Sequence, residues 1–491
     1  MRFYTVGMDV TAWRYKRFHT SYLLAWLAAG LLLGLLLGRN GLFHLGTPLI
    51  FIGLVLVLGA LRSQRWWAVP AIVLAGICFG GFRGDTVARD YAAYQALFEK
   101  NVTIQGVMTG DAQAATGGRQ KITLARPTVA GRIYPGEVFV TVFGQDVLKR
   151  GDTVSVSGKL REGFASYGAA MSGAKVLSVY RGSDVIRDIR ERFGTTVRSL
   201  VMEPMASLGL GFVVGQRSTL PDTLDEQLKV VGLTHIVVAS GYNLTILVRF
   251  AMRLLARHSR YLAFTASLLV ITCFVLFSGF SPSMNRAVIV TVLALLAWYV
   301  GRRFHPVFLI AYVASATAFY NPMYVWADLG WYLSFFAFAG ILVVAPLVMQ
   351  LLYRRRTPSS FEQLGIETMC AEIAALPLIA FAFSTLPTYA LIANVLVAPF
   401  IPVAMALTAM TGLVGVVSTT AASLFALPTT ILIGYMVAVV EWLAALPVAQ
   451  YEIDIGLWAV LLWYAVLVSV CIAIWRRTQY NFRSPDTRLE P

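Results

Sequence analysis

The stretch Gly232-Leu-Thr-His-Ile-Val-Val-Ala-Ser-Gly-Tyr-Asn-Leu-Thr-Ile carries four polar or backbone-breaking positions, His235, Ser240, Gly241 and Asn243, inside an otherwise apolar run. A histidine and a serine invite comparison with a hydrolase, in which Ser240 would be the nucleophile and His235 or His258 the base. Such a pair must come within hydrogen-bond reach. Positions five apart on a continuous helix point about 140° away from each other, and His258 lies in the basic segment that follows. The residues fit two other uses better: lining a polar route, or hydrogen-bonding one helix to another. Ser-Gly can also unwind a helix and expose carbonyls.

Further polar groups recur in apolar surroundings: Arg286, Asp328, Ser334 and Asn394. Arg286 is suited to contact a phosphate or to pair with Asp328. Arg249, Arg253 and Arg257 recur at i, i+4 and i+8, so a helix would gather them on one face, either to guide an exiting polyanion or to anchor the chain at the membrane surface. No CxxC pair occurs among the four cysteines, Cys78, Cys273, Cys370 and Cys471. They are expected as buried thiols, with no metal site and no cofactor.

The elements that position these groups are membrane helices. The chain is 58% hydrophobic and 13% charged, against roughly 25% charged in soluble domains. Apolar runs fall at 21–38, 47–61 and 66–82, then at 228–250, 261–279, 284–300, 306–320, 332–352, 367–385, 389–412, 430–447 and 457–475. Each is near the length of about 20 residues that spans a bilayer. The basic N-terminus, the loop around Arg62 and Arg65, the segment Arg249 to Arg260, Arg302-Arg303, Arg354 to Arg356 and the tail after Trp475 alternate with loops bearing Asp328, Glu452 and Asp454. By the positive-inside bias this predicts about 12 spans with both termini cytoplasmic. The apolar segments 205–217, 232–245, 322–334 and 391–402 are interrupted by Gly, Pro or polar residues, and irregular backbone at membrane depth must be protein-buried or line a wet cavity.

Residues 83–182 break the pattern. Short alternating runs at Asn101, Lys121, Glu137 and Asp152, separated by Gly- and Pro-rich turns, read as strands of a small closed barrel of the OB type, placed outside the cytoplasm. Residues 184–201 follow as an amphipathic helix. Its apolar stripe of Val185, Ile189, Phe193, Val197 and Leu200, with Arg187, Arg190 and Arg198 between, suits a helix at the membrane surface or one packed on the barrel.

The segment 232–243 resembles the signature of the ComEC family of competence proteins: Gly-Leu-x-His, four residues, Ser-Gly and a second His, a position that Asn243 occupies here. Gly209-Leu-Gly-Phe-Val-Val-Gly-Gln-Arg, Ser281-Pro-Ser-Met-Asn-Arg-Ala, Asp328-Leu-Gly-Trp-Tyr-Leu-Ser-Phe and Ala393-Asn-Val-Leu-Val-Ala-Pro resemble further elements of that family in the same order. Lys149-Arg-Gly-Asp-Thr-Val-Ser-Val-Ser-Gly-Lys-Leu resembles the end of its N-terminal OB-like domain.

The resemblance implies a polytopic α-helical bacterial inner-membrane protein with these parts: N-terminal helices (1–82), an OB-like domain (83–182), an interfacial helix (184–201), a competence-type channel domain (205–475) and a cytoplasmic tail (476–491). It implies a non-enzymatic channel passing single-stranded DNA into the cytoplasm, amid membrane lipids, with His235, Ser240, Gly241, Asn243, Arg286, Asp328, Ser334 and Asn394 on the path. The other reading left open is a secondary transporter or flippase for a small or lipid substrate. The sequence contains neither the His-x-His-x-Asp-His run of a metallo-β-lactamase-like domain nor a Gly-x4-Gly-Lys-Ser/Thr loop. Separate DNA-receptor, nuclease and motor proteins are therefore the expected partners.

Overall fold

The computed structural model describes residues 19–480 and 482, apart from 42, 44–45, 64, 116–117, 144–147, 183–184, 216–219, 238–240, 280–281, 302–304, 354–355 and 357. The chain is mostly helical and divides into two units.

The first unit holds α1 (Thr20–Gly38), α2 (Pro48–Ser63) and α3 (Ala68–Ala92), together with residues 307–328. Glycine at every fourth position gives α1 a smooth strip (Gly30, Gly34, Gly38), and α3 has its own (Gly76, Gly80, Gly84). The two strips meet backbone to backbone. A methyl at Gly38 would fall 2.8 Å from the Gly81 carbonyl, and one at Gly80 would collide with the Leu31 carbonyl. In lipid this close approach supplies the dispersion that holds helices together. Arg83 donates to the carbonyls of Phe319 (3.1 Å) and Tyr320 (3.0 Å), where a helix end leaves its acceptors free.

The second unit begins with the barrel. Its strands are β1 (Asn101–Met108), β2 (Gln113–Ala115), β3 (Arg119–Val129), β4 (Arg132–Ile133), β5 (Glu137–Phe143), β6 (Thr153–Glu162) and β7 (Ala169–Tyr180). β1 pairs antiparallel with β3 and with β6, β3 with β5, β6 with β7, and β5 runs parallel to β7, so the ring β1-β3-β5-β7-β6 closes on β1. Five strands in this order fit the OB-like fold. Alternation sends Ile104, Ile122, Leu124, Val138, Val140, Val154, Val156 and Leu160 into the interior. β7, Ala-Ala-Met-Ser-Gly-Ala-Lys at its start, lacks the β-branched alternation that announces the other strands.

Then come α4 (Val185–Leu200), α5 (Met205–Val214), α6 (Asp222–Val230), α7 (Thr234–Val237), α8 (Gly241–Leu255), α9 (Arg260–Ser278) and α10 (Pro282–Tyr299). In chain order α11 (Pro306–Tyr320) and α12 (Met323–Ala327) follow. The rest are α13 (Leu329–Ala339), α14 (Ala345–Leu352), α15 (Ser360–Phe383), α16 (Ala390–Val397), α17 (Ile401–Val417), α18 (Thr419–Ala444) and α19 (Leu457–Thr478), with strands β8 (Thr385–Pro387) and β9 (Gln450–Glu452) paired antiparallel. Among the described residues eight helical stretches are long and apolar enough to cross a membrane, and α2, α5, α11 and most of α10 are shorter apolar helices.

The candidate span 228–250 is corrected in its bounds: the interruption expected over 232–245 divides it among α6, α7 and α8, and α6 begins at Asp222. Gly232 adopts φ +81, a left-handed conformation that ends the helix, and its missing side chain admits Pro387 and Ala390. The expectation of four buried thiols is also corrected. Cys78 and Cys370 are buried, Cys471 is half-buried, and Cys273 faces outward, because an apolar helix in lipid has no need to turn a small apolar side chain inward.

Helix α4 joins barrel and bundle within this unit. Arg187 reaches Asp152 (3.1 Å), Arg190 reaches Asp111 (3.0 Å) and Glu191 accepts from Lys149 (2.7 Å), all on barrel loops. Burial pulls the Arg190 pKa down from the ordinary arginine value, and the Asp111 carboxylate opposes that pull. Phe193 and Val197 are buried, while Val185 and Ile189 are exposed. The Phe193 ring fills the notch left by Gly412 of α17, and Thr196 fills that of Gly415. On the barrel side Arg150 donates to the Leu276 carbonyl near the end of α9 (3.1 Å).

Candidate functional site

Helix α5 is apolar on every side and nearly every residue in it is buried, as a helix enclosed by others must be. It ends at Gly215 in the left-handed conformation, φ 69. The Phe212 carbonyl, in the last turn of α5, accepts from Asn243 Nδ2 at 3.2 Å, and Asn243 is fully buried. A polar amide in this interior is tolerable only with partners. Two residues earlier, Gly241 starts α8. A Cβ there would lie 2.7 Å from the Ala287 Cβ, so the missing side chain lets α8 and α10 pack closely.

Ala287 is the neighbour of Arg286. The Arg286 side chain is buried, 3% exposed, and its Nη2 donates to the Gly330 carbonyl in the first turn of α13 at 3.0 Å. Ser334 lies one turn further along the Gly330 face of α13 and is half-buried. Asn243, Gly241, Arg286 and Ser334 therefore follow one another from the hydrogen bond that ties α8 to α5 through the packed pairs α8–α10 and α10–α13. A guanidinium in this position places a fixed positive charge, with several N–H donors, among helices otherwise built of apolar side chains.

The other sequence-predicted residues are placed as follows. His235 is exposed, with Nδ1 3.1 Å from the Gly232 carbonyl. Ser240 lies outside the described residues. Asp328 is half-buried beyond the end of α12, and its backbone N–H donates to the Tyr324 carbonyl. Asn394 is buried on α16 and donates from Nδ2 to Glu372 Oε1 on α15 at 2.6 Å. Arg249 and Arg253 are exposed on the last turns of α8. Arg257 falls in the turn after Leu255, so helical register groups only the first two of the three arginines expected on one face.

Sequence reasoning missed Glu372. A carboxylate in the middle of the apolar run 367–385 was the available signal, and the Asn394 partner, 22 residues on, becomes visible only in three dimensions.

Residues 212–477, more than half of the chain, match the family model described as "Competence protein". The chain belongs to the competence protein family. No curated protein and no solved structure matches it. The matched region begins at Phe212, whose carbonyl holds Asn243, and takes in α8, α10, α13, α15 and α16, so every predicted site residue lies within it. The competence membrane domain is a transport component rather than a catalyst, and membership gives this membrane protein a role in DNA uptake during competence.

Proposed function

We propose that the chain is the inner-membrane channel through which a single DNA strand enters the cytoplasm. The observation that carries this reading is Arg286, a buried guanidinium on a membrane helix, held on α13 and one residue from the close α8–α10 contact. A strand carries a charge at every phosphate, and a route through hydrocarbon must replace its hydration with cations, amides and hydroxyls. Asn243, Arg286 and Ser334 supply these groups in sequence, with His235 and Asn394 as further polar positions of the same unit. Arg249, Arg253 and Arg257 meet the strand as it leaves.

In this reading about 12 crossings put both termini in the cytoplasm, and the OB-like barrel receives the strand outside. The eight long apolar stretches and the shorter α2, α10 and α11 support eleven of these crossings, and the divided segment α6–α8 is assigned the twelfth.

Site-specific photocrosslinking tests the route. A crosslinking amino acid at Ser334 should capture labelled DNA during uptake. The same group at Leu462, two-thirds exposed on α19, should capture lipid and no DNA. Normal import with no DNA captured at Ser334 would remove this residue, and the path drawn through it, from the account.

A further inference from the structure

Glu372 lies ten residues after Glu362 and eleven before Phe383, the limits of one long apolar stretch. At about 1.5 Å per residue the carboxyl is about 15 Å from either end. An ionisable group at that depth is costly and is retained for a purpose. Its one hydrogen-bond partner among the described residues is the Asn394 amide, at 2.6 Å, and among the described residues no Lys, Arg or His forms an ion pair with it. The elements packed on α15 bring few other titratable groups. α13 has Tyr332; α14 and α16 have none; β8 has none. α19 brings Tyr464, whose hydroxyl donates to the Ala374 carbonyl, and Cys471, which faces Cys370, besides Arg476 and Arg477 at its far end. Glu367, one and a half turns away on α15 itself, accepts from Gln363 at 2.8 Å.

The helix is mechanically weak at this point. Pro377 has no N–H, so the Ile373 carbonyl four residues before it loses its intrahelical donor. Trp463 Nε1 takes that place at 3.2 Å, and the Tyr464 hydroxyl reaches the next carbonyl, Ala374, at 2.9 Å. On the other side the wide turn Gly340–Val344, with i to i+5 bonding, presses Gly340 onto the Cys370 carbonyl and Ala371. Wide turns of this kind concentrate at functional sites. Glu372 sits between these two irregularities.

We propose that Glu372, with Asn394, is a proton-binding site, and that loading and release of its proton is linked to strand passage by changing how tightly α15 holds α16. A proton fits better than a metal cation. A cation of the sodium or calcium kind needs several converging oxygens, whereas Asn394 presents N–H, and among the described residues no group of three or more His, Cys, Asp or Glu could hold a metal. The link to strand passage rests on the channel reading; the proton site does not.

Infrared spectroscopy of the purified full chain in vesicles separates the two. Wild type should show a protonated-carboxyl band that titrates, is indifferent to sodium, and is lost in Glu372→Gln while persisting in Glu367→Gln. Glu372→Asp should keep a band at shifted frequency, and it carries the test should the Gln variant fail to fold. A band unchanged in both Glu372 variants, or one erased by sodium, overturns the site. In the same vesicles an imposed pH gradient should change the import rate of labelled single strands at least about tenfold for wild type and leave Glu372→Gln unresponsive. If the band behaves as expected and no strand enters, the channel reading fails and the site stands. Strands that enter with equal gradient response in both proteins overturn the link.

Discussion

Replacing Arg286 with alanine is expected to lower DNA import about 100-fold while leaving the amount of protein in the membrane nearly unchanged. The guanidinium is buried and donates to the Gly330 carbonyl. A hydrogen bond from a charged group contributes about 1.5–3 kcal/mol, and about 1.4 kcal/mol is a tenfold change in an equilibrium. Losing a charged hydrogen bond of that size to each passing phosphate leads to the expected two orders of magnitude. Arg286→Lys should recover little, because an ammonium keeps the charge but lacks the planar fork that can hold Gly330 and a phosphate oxygen at once. Transformation frequency, read beside immunoblots of the membrane fraction, checks both. Near-normal import by Arg286→Ala would make the residue a helix anchor and nothing more.

A second large effect is expected far from the path, in the α1–α3 pair. Gly80→Leu should reduce the protein recovered from membranes more than tenfold. The first atom of any side chain at Gly80 meets the Leu31 carbonyl and comes within 2.8 Å of the Leu35 nitrogen. Both obstacles are backbone, so no rotamer change relieves them. Overpacking of this kind typically costs about 1–3 kcal/mol, and more where nothing can move. Gly434→Ala on α18 is the control. Nothing lies within 4 Å of a Cβ there, and alanine is favoured over glycine in a helix by about 1 kcal/mol, so that protein should accumulate at least as well as wild type. Quantitative immunoblotting after membrane extraction distinguishes the cases.

Local rules carried much of the architecture. Runs of apolar residues near bilayer length mark α1, α9 and α19 within a few residues, because in lipid every backbone polar group must be bonded within its own segment. The alternation in Glu137-Val-Phe-Val-Thr-Val-Phe marks β5 for the same kind of reason, one face being buried and the other not. β7 was harder to read. Its first six residues are Ala, Gly, Ser and Met alone, and pairing with β5 and β6 decides its conformation. The interruption at 232–245 looked like one polar break in a span, yet the segment holds three helices, and the left-handed Gly232 accounts for the first boundary. At the site, residue types such as Arg286 and Asn243 could be picked out because they are expensive in apolar surroundings. Their partners could not, since Phe212 and Gly330 contribute backbone carbonyls that no side-chain pattern encodes. The support that Trp463 and Tyr464 give to the carbonyls freed by Pro377 is legible only once α19 lies against α15.

The central claim is that this bundle passes a single strand, and reconstitution measures it most directly. The purified full chain is placed in liposomes, an inside-positive potential is imposed to draw in a polyanion, and labelled DNA that becomes nuclease-protected is counted. Single strands should be protected and duplexes excluded, and Arg286→Ala vesicles should protect about 100-fold less. Vesicles that protect no strand at any potential, yet move a small solute or a lipid, would contradict the account.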